Sequence, residues 1–340
     1  MDGPLIDPVV SGRPLLLSIV VPVFNEADVI DVFLARLEPA VAQARIALGS
    51  GGQSEIVFVD DGSVDGTAER IAARIRPGSG IRLVKLSRNF GKDAALAAGL
   101  ARARGDAVLP MDVDLQDPPE LVARMVTAWR GGAKIVNAVR IDRHGDGWFK
   151  RASAGLFYRL YNRLAAHPIA RDVGDFRLLD RSAVTVLNEM PERIRFMKGL
   201  FAWIGFTQTT IAYARPPRAA GTSKWRTWTL WNFALDGITG STTLPLRVWS
   251  YVGVTIAIGA LLYAAVVVVR TLVSGVDVPG YASLITVMLT LGALNLIALG
   301  IIGEYVGRIA VEVRARPLYV VEAVVEAEEP MAVAENARAV

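Results

Sequence analysis

The chain has 340 residues, a formal net charge of +4, a pI near 9.4, 52% hydrophobic residues and no cysteine. This length holds one large globular domain plus an appendage, and the lack of cysteine excludes disulfides, zinc–thiolate sites and thiol catalysis. The basic residues are scattered, which favours a phosphate substrate or an anionic membrane surface over nucleic acid as the partner.

Residues 1–14 lack the basic start and long apolar core of a signal peptide, so they are interpreted as an N-terminal extension that leaves the next domain in the cytoplasm. From residue 15 onward, β-rich apolar runs alternate with helical patterns. The predicted strands are residues 15–23, 55–59, 81–86, 107–111 and 134–139. Such alternation predicts a doubly wound, mainly parallel α/β sheet with right-handed crossovers. The dinucleotide fingerprint G-x-G-x-x-G and the P-loop pattern are both missing.

Three predicted strands end in polar and acidic side chains. Residues 22–26 read PVFNE, residues 60–63 read DDGS, and residues 112–117 read DVDLQD. The carboxyl ends of parallel strands meet at one edge of a sheet, where ligands bind, so these groups are expected to converge on one crevice.

Asp112 and Asp114 face the same way if strand geometry continues, and paired carboxylates suit Mg²⁺ or Mn²⁺ that is completed by substrate phosphates. Taken alone, an Asp-X-Asp pair favours the alternative to a metal site, which is a solvated acidic turn closed by Pro118 and Pro119.

Aromatic and basic residues alternate over residues 148–166, a pattern that predicts either an interfacial membrane helix or an amphipathic helix on the sheet. Trp225, Trp228 and Trp231 recur every three residues and predict a second interfacial helix within residues 223–247.

Residues 248–272 and 282–306 are long and apolar enough to predict two membrane-spanning helices, with a buried pair of core helices as the alternative. The short link between them predicts a hairpin spanning residues 248–306, and flanking arginines place both of its ends in the cytoplasm. Residues 307–340 are the predicted cytoplasmic tail, and the part of it after residue 325 is acidic and alanine-rich and is expected to be disordered.

Six segments together carry a family resemblance over residues 15–320. They are residues 21–26, 59–63, 87–92, 112–119, 174–177 and the hairpin that ends at 307–308. In this order they resemble glycosyltransferase family 2, and within it the membrane-anchored polyprenyl-phosphate branch. That branch includes bacterial undecaprenyl-phosphate glucosyltransferases and dolichol-phosphate mannose synthase.

The resemblance implies a GT-A-type catalytic domain over residues 15–222 with bound Mg²⁺ or Mn²⁺. Its implied metal ligands are Asp112, Asp114 and Gln116, and Asp112 and Asp114 join Asp175 as implied catalytic residues. The implied donor-nucleotide site comprises Pro22, Phe24, Glu26, Asp60, Asp61, Asn89, Lys92 and Asp112.

A phosphate monoester has a second pKa of about 6, so an acceptor of this kind scarcely needs a strong general base. Asp175 corresponds to the residue proposed as base in similar enzymes. It is assigned orientation of the acceptor or removal of a residual proton, and the alternative is a structural cap for the next two residues. The candidate acceptor-phosphate residues are Arg140, Lys150, Arg151, Arg177, Arg195, Lys198, Arg215, Arg218 and Lys224.

The resemblance implies an inverting hexosyltransferase at the cytoplasmic face of a bacterial membrane, with UDP-glucose as donor and undecaprenyl phosphate as acceptor. GDP-mannose and amino-sugar donors are alternatives, as is an inactive nucleotide-binding scaffold. A processive polysaccharide synthase is disfavoured because the Gln-x-x-Arg-Trp motif and further spanning helices are missing. The resemblance also implies a homo-oligomer, expected to be a tetramer, served by a separate flippase and a downstream glycosyltransferase.

Overall fold

The predicted alternation of strands and helices is present in the computed structural model. The structure describes residues 13–140, 159, 162–163, 173–193, 197–213, 244–274 and 280–327. The first half contains β1 (Leu16–Val23), α1 (Ile30–Leu48), β2 (Gln53–Asp60), α2 (Thr67–Ala72), β3 (Ile81–Leu86), α3 (Lys92–Arg102), β4 (Ala107–Pro110), a 3₁₀ turn (Pro119–Leu121), α4 (Val122–Arg130) and β5 (Ile135–Arg140). The second half contains β6 (Val173–Asp180), α5 (Arg181–Glu189), α6 (Met197–Trp203), β7 (Gln208–Tyr213), α7 (Leu244–Ser274), α8 (Tyr281–Arg314) and β8 (Val321–Glu326).

The strands form one eight-stranded sheet in the order β7-β5-β6-β4-β1-β2-β3-β8. Its centre, β4-β1-β2-β3, is parallel, which confirms the mainly parallel α/β sheet. Strand β6 runs antiparallel between β4 and β5, and β8 runs antiparallel along β3. The fifth predicted strand is therefore present as β5, but β6 separates it from β4.

Apolar side chains cover both faces of this sheet. Helices α1 and α4 pack on one face, and α3, α5 and α6 pack on the other. In α1 the buried positions Phe33, Leu37, Val41 and Ala44 follow the spacing of a single helix face. On the other side, a Cβ at Gly99 would lie 2.2 Å from a methyl carbon of the β1 valine at position 20, so only glycine lets α3 approach the strand this closely.

Strand β8 lies almost entirely before the part of the tail that is expected to be disordered, and only its last residue, Glu326, falls within that part. Its backbone pairs with β3, and Arg82 lies opposite Glu326 in the register. The buried Arg82 guanidinium donates to Glu326 at 2.9 Å and to Glu55 at 2.9 Å. This short strand at the sheet edge is stabilised by its partner strand, which local composition does not reveal.

The two long helices expected near the C-terminus are present, with wider bounds than predicted, as α7 and α8. Many of their large apolar side chains are exposed, including Tyr251, Leu262, Leu272 and Leu296. Within the part of the chain that the structure describes, no helix combines the length and apolar character needed to cross a membrane. The helical hairpin is thus confirmed, while the crossing of a bilayer stays a prediction.

Arg193 joins the hairpin to the catalytic domain. Its backbone N–H donates to both carboxylate oxygens of Glu312 on α8, at 2.9 and 3.1 Å. Its guanidinium donates to the carbonyl oxygens of Ala315 and Arg316, just beyond the end of α8. Cationic groups at a helix C-terminus are favourable because the last carbonyls carry partial negative charge.

Most of the predicted interfacial helix at 148–166 and most of the second one at 223–247 lie outside the described residues. The same holds for nearly all of the N-terminal extension and for the tail after residue 327.

Candidate active site

The cleft at the carboxyl edge of the sheet is built by the ends of β1 and β4, the start of α3 and the start of β6. Its lining is Pro22, Lys92, Leu96, Pro110, Met111, Asp112, Asp117, Asp175 and Phe176. Of the three strand ends expected to converge, the end of β4 supplies carboxylates to this lining and the end of β1 supplies Pro22, while the residues after β2 are not part of it. Strand β6 adds Asp175 because it is inserted next to β4.

In the acidic segment after β4, buried and half-buried side chains alternate for several residues. Met111, Val113 and Leu115 are buried, whereas Asp112, Asp114 and Gln116 are half-buried. Burial thus alternates, but β4 ends at Pro110 and residues 113–114 form a turn, so the continued strand geometry on which the predicted common face depended is not present.

The segment turns at Leu115, whose φ of 57° lies in the left-handed region. There the Gln116 N–H donates to the Asp114 carboxylate at 3.1 Å, which closes a local Asx turn. Gln116 and Asp114 lie outside the lining of the cleft, whereas Asp112 is part of it.

Lys92 makes the central contact of the cleft. Its Nζ lies 2.8 Å from each carboxylate oxygen of Asp112 and 3.0 Å from Oδ2 of Asp175. Burial by itself disfavours the charged amine, but the two carboxylates outweigh it, so the pKa of Lys92 is raised and the amine is an ammonium at neutral pH. One cation thus bridges the predicted metal ligand and the predicted base.

Asp61 holds the turn that leads into α3. It is 3% exposed, and its two carboxylate oxygens accept the backbone N–H groups of Phe90 and Gly91 at 2.7 and 2.9 Å. Burial raises the pKa of Asp61, although these two hydrogen bonds oppose the shift. The contacts give Asp61 a positioning role for the segment that carries Lys92, beside its predicted role in donor binding.

Asp60 is fully buried at the end of β2. Oδ1 accepts the Ser63 N–H at 3.2 Å, and Oδ2 is buried without a hydrogen-bond partner among the described residues. Burial raises the pKa of this carboxyl group, against the effect of the Ser63 hydrogen bonds. The described contacts of Asp60 thus lie within its own turn.

Two loops beside the cleft are tied to each other through backbone N–H groups. The N–H of Asn25 donates to the hydroxyl of Ser63 at 2.9 Å, and that of Glu26 donates to the hydroxyl of Thr67 at 3.0 Å. Phe24, which precedes Asn25 in the first of these loops, is 36% exposed. Asn89, also predicted for the donor site, is exposed in the turn before α3.

Arg177, which is predicted for the acceptor site, is buried. It is 4% exposed, its guanidinium donates to the Gly174 carbonyl at 2.7 Å, and its guanidinium carbon lies 3.9 Å from the centre of the Phe201 ring. Since Gly174 precedes Asp175, these contacts hold the backbone that presents the Asp175 carboxylate.

The other acceptor candidates are mostly beyond what the structure describes. Arg140 is half-buried at the end of β5, and Lys198 lies in α6. The residues outside the described parts are Lys150, Arg151, Arg195, Arg215, Arg218 and Lys224.

Asp117 was missed as a site residue, although it belongs to the acidic segment that the sequence analysis singled out. It lines the cleft, is 8% exposed and accepts a hydrogen bond from the Tyr213 hydroxyl at 3.3 Å. The signal available in the sequence was its place as the third carboxylate of that segment.

Among the described residues, no group of three or more acidic, histidine or cysteine side chains is arranged as a metal site. Asp112 and Asp114 nevertheless provide the hard oxygen donors that Mg²⁺ and Mn²⁺ prefer, and Mg²⁺ is commonly held by one or two carboxylates together with substrate phosphates. The ammonium of Lys92 on Asp112 shows that this carboxylate accepts a cation. The donor set therefore fits such an ion.

Comparison with known families identifies the chain. A family model described as Glycosyl transferase family 2 matches residues 18–187, which include every residue of the Asp112–Lys92–Asp175 contact. The chain belongs to glycosyltransferase family 2. A second model, described as the GtrB C-terminal hairpin, matches residues 244–309 and covers most of α7 and α8.

Relatives of this family 2 glycosyltransferase match along most of its length. An uncharacterized glycosyltransferase of Synechocystis sp. is 48% identical and covers 90% of this chain and 94% of its own. The SfII prophage-derived bactoprenol glucosyl transferase of Shigella flexneri is 44% identical, over 90% of this chain and 97% of its own. A prophage bactoprenol glucosyl transferase homolog of Escherichia coli is 42% identical, over 91% and 99%.

Proposed function

We propose that this glycosyltransferase transfers glucose from UDP-glucose to a polyprenyl phosphate of the undecaprenyl type and forms a β-linked polyprenyl-phosphate glucose. The observation that carries the proposal is the Asp112–Lys92–Asp175 contact at the carboxyl edge of the sheet, inside the segment that defines the family. The names of the Shigella relatives support the choice of glucose and of a polyprenyl carrier.

The donor site lies along the loops after β1 and β2. Phe24 offers an exposed ring for the base, while Asp61 holds the turn that carries Lys92 toward the donor diphosphate. The residues proposed to hold Mg²⁺ or Mn²⁺ are Asp112, Asp114 and Gln116. When bound, such an ion neutralises the charge that develops on the departing nucleoside diphosphate.

The acceptor side of the reaction is assigned to β6. A phosphate oxygen of the lipid attacks the anomeric carbon while the bond to the nucleoside diphosphate breaks, so an α-linked donor gives a β-linked product. Asp175 orients the acceptor and removes a residual proton where one is present, and Arg177 keeps the Asp175 backbone in place.

The hairpin α7–α8 is proposed to attach the catalytic domain to the cytoplasmic face of a membrane. Its exposed apolar side chains are suited to a lipid environment, and the Arg193–Glu312 contact joins α8 to the catalytic domain. The proposal includes three further points. The hairpin crosses the bilayer, the enzyme is a homotetramer, and a separate flippase and a downstream glycosyltransferase act on the product.

The deciding experiment uses the full chain in nanodiscs that contain undecaprenyl phosphate. UDP-[¹⁴C]glucose is supplied with Mn²⁺, and radioactivity is counted in the organic extract. The expected result is a labelled lipid that is lost in Asp112→Asn and when EDTA replaces Mn²⁺, and that NMR shows to be β-linked.

Parallel reactions with GDP-mannose, UDP-galactose and an amino-sugar donor test the alternatives. Incorporation from one of these in place of UDP-glucose would reassign the donor, and an α-linked product would refute direct displacement. No incorporation from any nucleotide sugar would favour the inactive scaffold.

A further inference from the structure

Lys92 is held in the cleft by its backbone as well as by its side chain. It is the first residue of α3, a helix whose residues 94–100 are buried against the sheet. The preceding residue, Gly91, has a φ of 98° and donates its N–H to Asp61 at 2.9 Å. The ammonium therefore extends into the cleft from a fixed point.

The position of this ammonium matters because it contacts both oxygens of one carboxylate. Asp112 receives Lys92 Nζ at 2.8 Å from Oδ1 and Oδ2, so the ammonium lies at the face of the carboxylate that a divalent ion uses when it binds. The same Nζ lies 3.0 Å from Asp175. A second cation on that face of Asp112 is repelled by the first.

We propose that Lys92 competes with the divalent ion for Asp112, so that the metal binds only as the ammonium leaves this carboxylate. The ammonium then stays on Asp175 or moves to the donor diphosphate, because either anion retains its charge pairing. This inference rests on the proposed function, in that it takes Asp112 as a metal ligand. It assigns Lys92 a further role as the residue that sets how tightly the enzyme holds its metal.

The experiment measures Mn²⁺ affinity, by the EPR signal of free Mn²⁺, in the full chain in nanodiscs without nucleotide. Lys92→Met removes the competing charge and is expected to bind Mn²⁺ about tenfold more tightly than the wild type. Lys85→Met is the matched control, because Lys85 lies on β3, pairs with Glu322 of β8 at 3.3 Å and is not part of the cleft lining. Its Mn²⁺ affinity is expected to equal that of the wild type.

Lys92→Arg and Lys92→Gln separate charge from packing. The arginine variant keeps the positive charge and is expected to hold Mn²⁺ as weakly as the wild type, whereas the glutamine variant is expected to gain affinity as the methionine variant does. Equal or weaker Mn²⁺ binding in both neutral variants overturns the inference, as does Mn²⁺ binding that is undetectable in every variant. A thermal unfolding midpoint recorded for each variant shows that the compared proteins are folded.

The outcomes for the competition and for the proposed function are distinguishable. If the wild type transfers glucose but the neutral variants gain no Mn²⁺ affinity, only the competition fails. If the affinity gain is present but no nucleotide sugar is used as donor, the competition stands and the proposed reaction fails.

Discussion

Lys92 Nζ lies 3.0 Å from the carboxylate of Asp175, although the two residues are 83 positions apart in the chain. The contact exists because β6 is inserted beside β4, which places the start of β6 opposite the start of α3. It links the donor side of the cleft to the residue assigned to the acceptor, and four of the five predictions below concern this cleft and the strand that enters it.

Replacing Asp114 by Asn is expected to lower glucose transfer by at least about 100-fold, because a charged metal ligand is lost where negative charge develops. The measurement is the initial rate over a range of Mn²⁺ concentrations. Glu120→Gln is the control, since that exposed carboxylate pairs with Arg36 outside the cleft. Wild-type turnover of Asp114→Ala in the presence of a chelator would contradict the metal site.

Replacing Asp175 by Asn distinguishes a base at this position from a structural role when kcat is measured at two pH values. A residual proton is present on more of the acceptor below its second pKa of about 6, so a base at this position matters more in acid. The loss in kcat is expected to be several-fold larger at pH 5.5 than at pH 8. A loss of equal size at both pH values would assign Asp175 a structural role instead.

Replacing Arg177 by Lys is expected to lower kcat while leaving the KM for UDP-glucose close to that of the wild type. Lysine keeps the charge but lacks the planar group that both donates to the Gly174 carbonyl and stacks on Phe201. The unfolding free energy is expected to fall by about 1–3 kcal/mol as this buried hydrogen bond weakens. A KM for the lipid acceptor that rises while kcat stays constant would instead support a direct contact between Arg177 and the acceptor phosphate.

Asp180 is expected to give the fold an acid-sensitive contribution to stability. Burial opposes its ionisation, but hydrogen bonds from Ser182, Trp129 and Lys134 outweigh burial and lower the pKa of Asp180 below its ordinary value of 3.8. A lowered native pKa stabilises the fold above 3.8, and this contribution is lost as the pH falls below that value.

The test compares wild type with Asp180→Asn by thermal unfolding, followed through Trp fluorescence from pH 7 to pH 3. The difference in unfolding midpoint is expected to be constant above pH 5 and to shrink below pH 3.8. A difference that grows in acid would contradict the sign of the shift.

Replacing Glu326 by Ala is expected to lower the unfolding free energy by about 1 kcal/mol, because the buried Arg82 loses one of its two carboxylate partners. Glu322→Ala is the matched control on the same strand, since its pair with Lys85 is exposed. The expected change there is below about 0.5 kcal/mol. Equal effects of the two variants would show that β8 is not held by the Arg82 pair.

The local pattern of the sequence predicted most of the catalytic sheet. Apolar runs of strand length between amphipathic helices gave the order from β1 to β5, and the acidic residues after β4 marked the cleft. The family motifs added Asp175 and Lys92 as site residues. The predictions of strands and helices succeeded because the periodicity of buried positions can be recognised in consecutive residues, whereas the roles of Asp175 and Lys92 stay predictions.

Only the tertiary structure decided which of these charges meet. The insertion of β6 brought Asp175 to Lys92, and the antiparallel pairing of β8 with β3 brought Glu326 to the buried Arg82. Each outcome depends on pairing between strands far apart in the chain, whose energy comes from partners that no local window contains. Residue types and their periodicity therefore determined the elements and the chemistry at their ends, and the order of strands in the sheet determined which ion pairs those ends form.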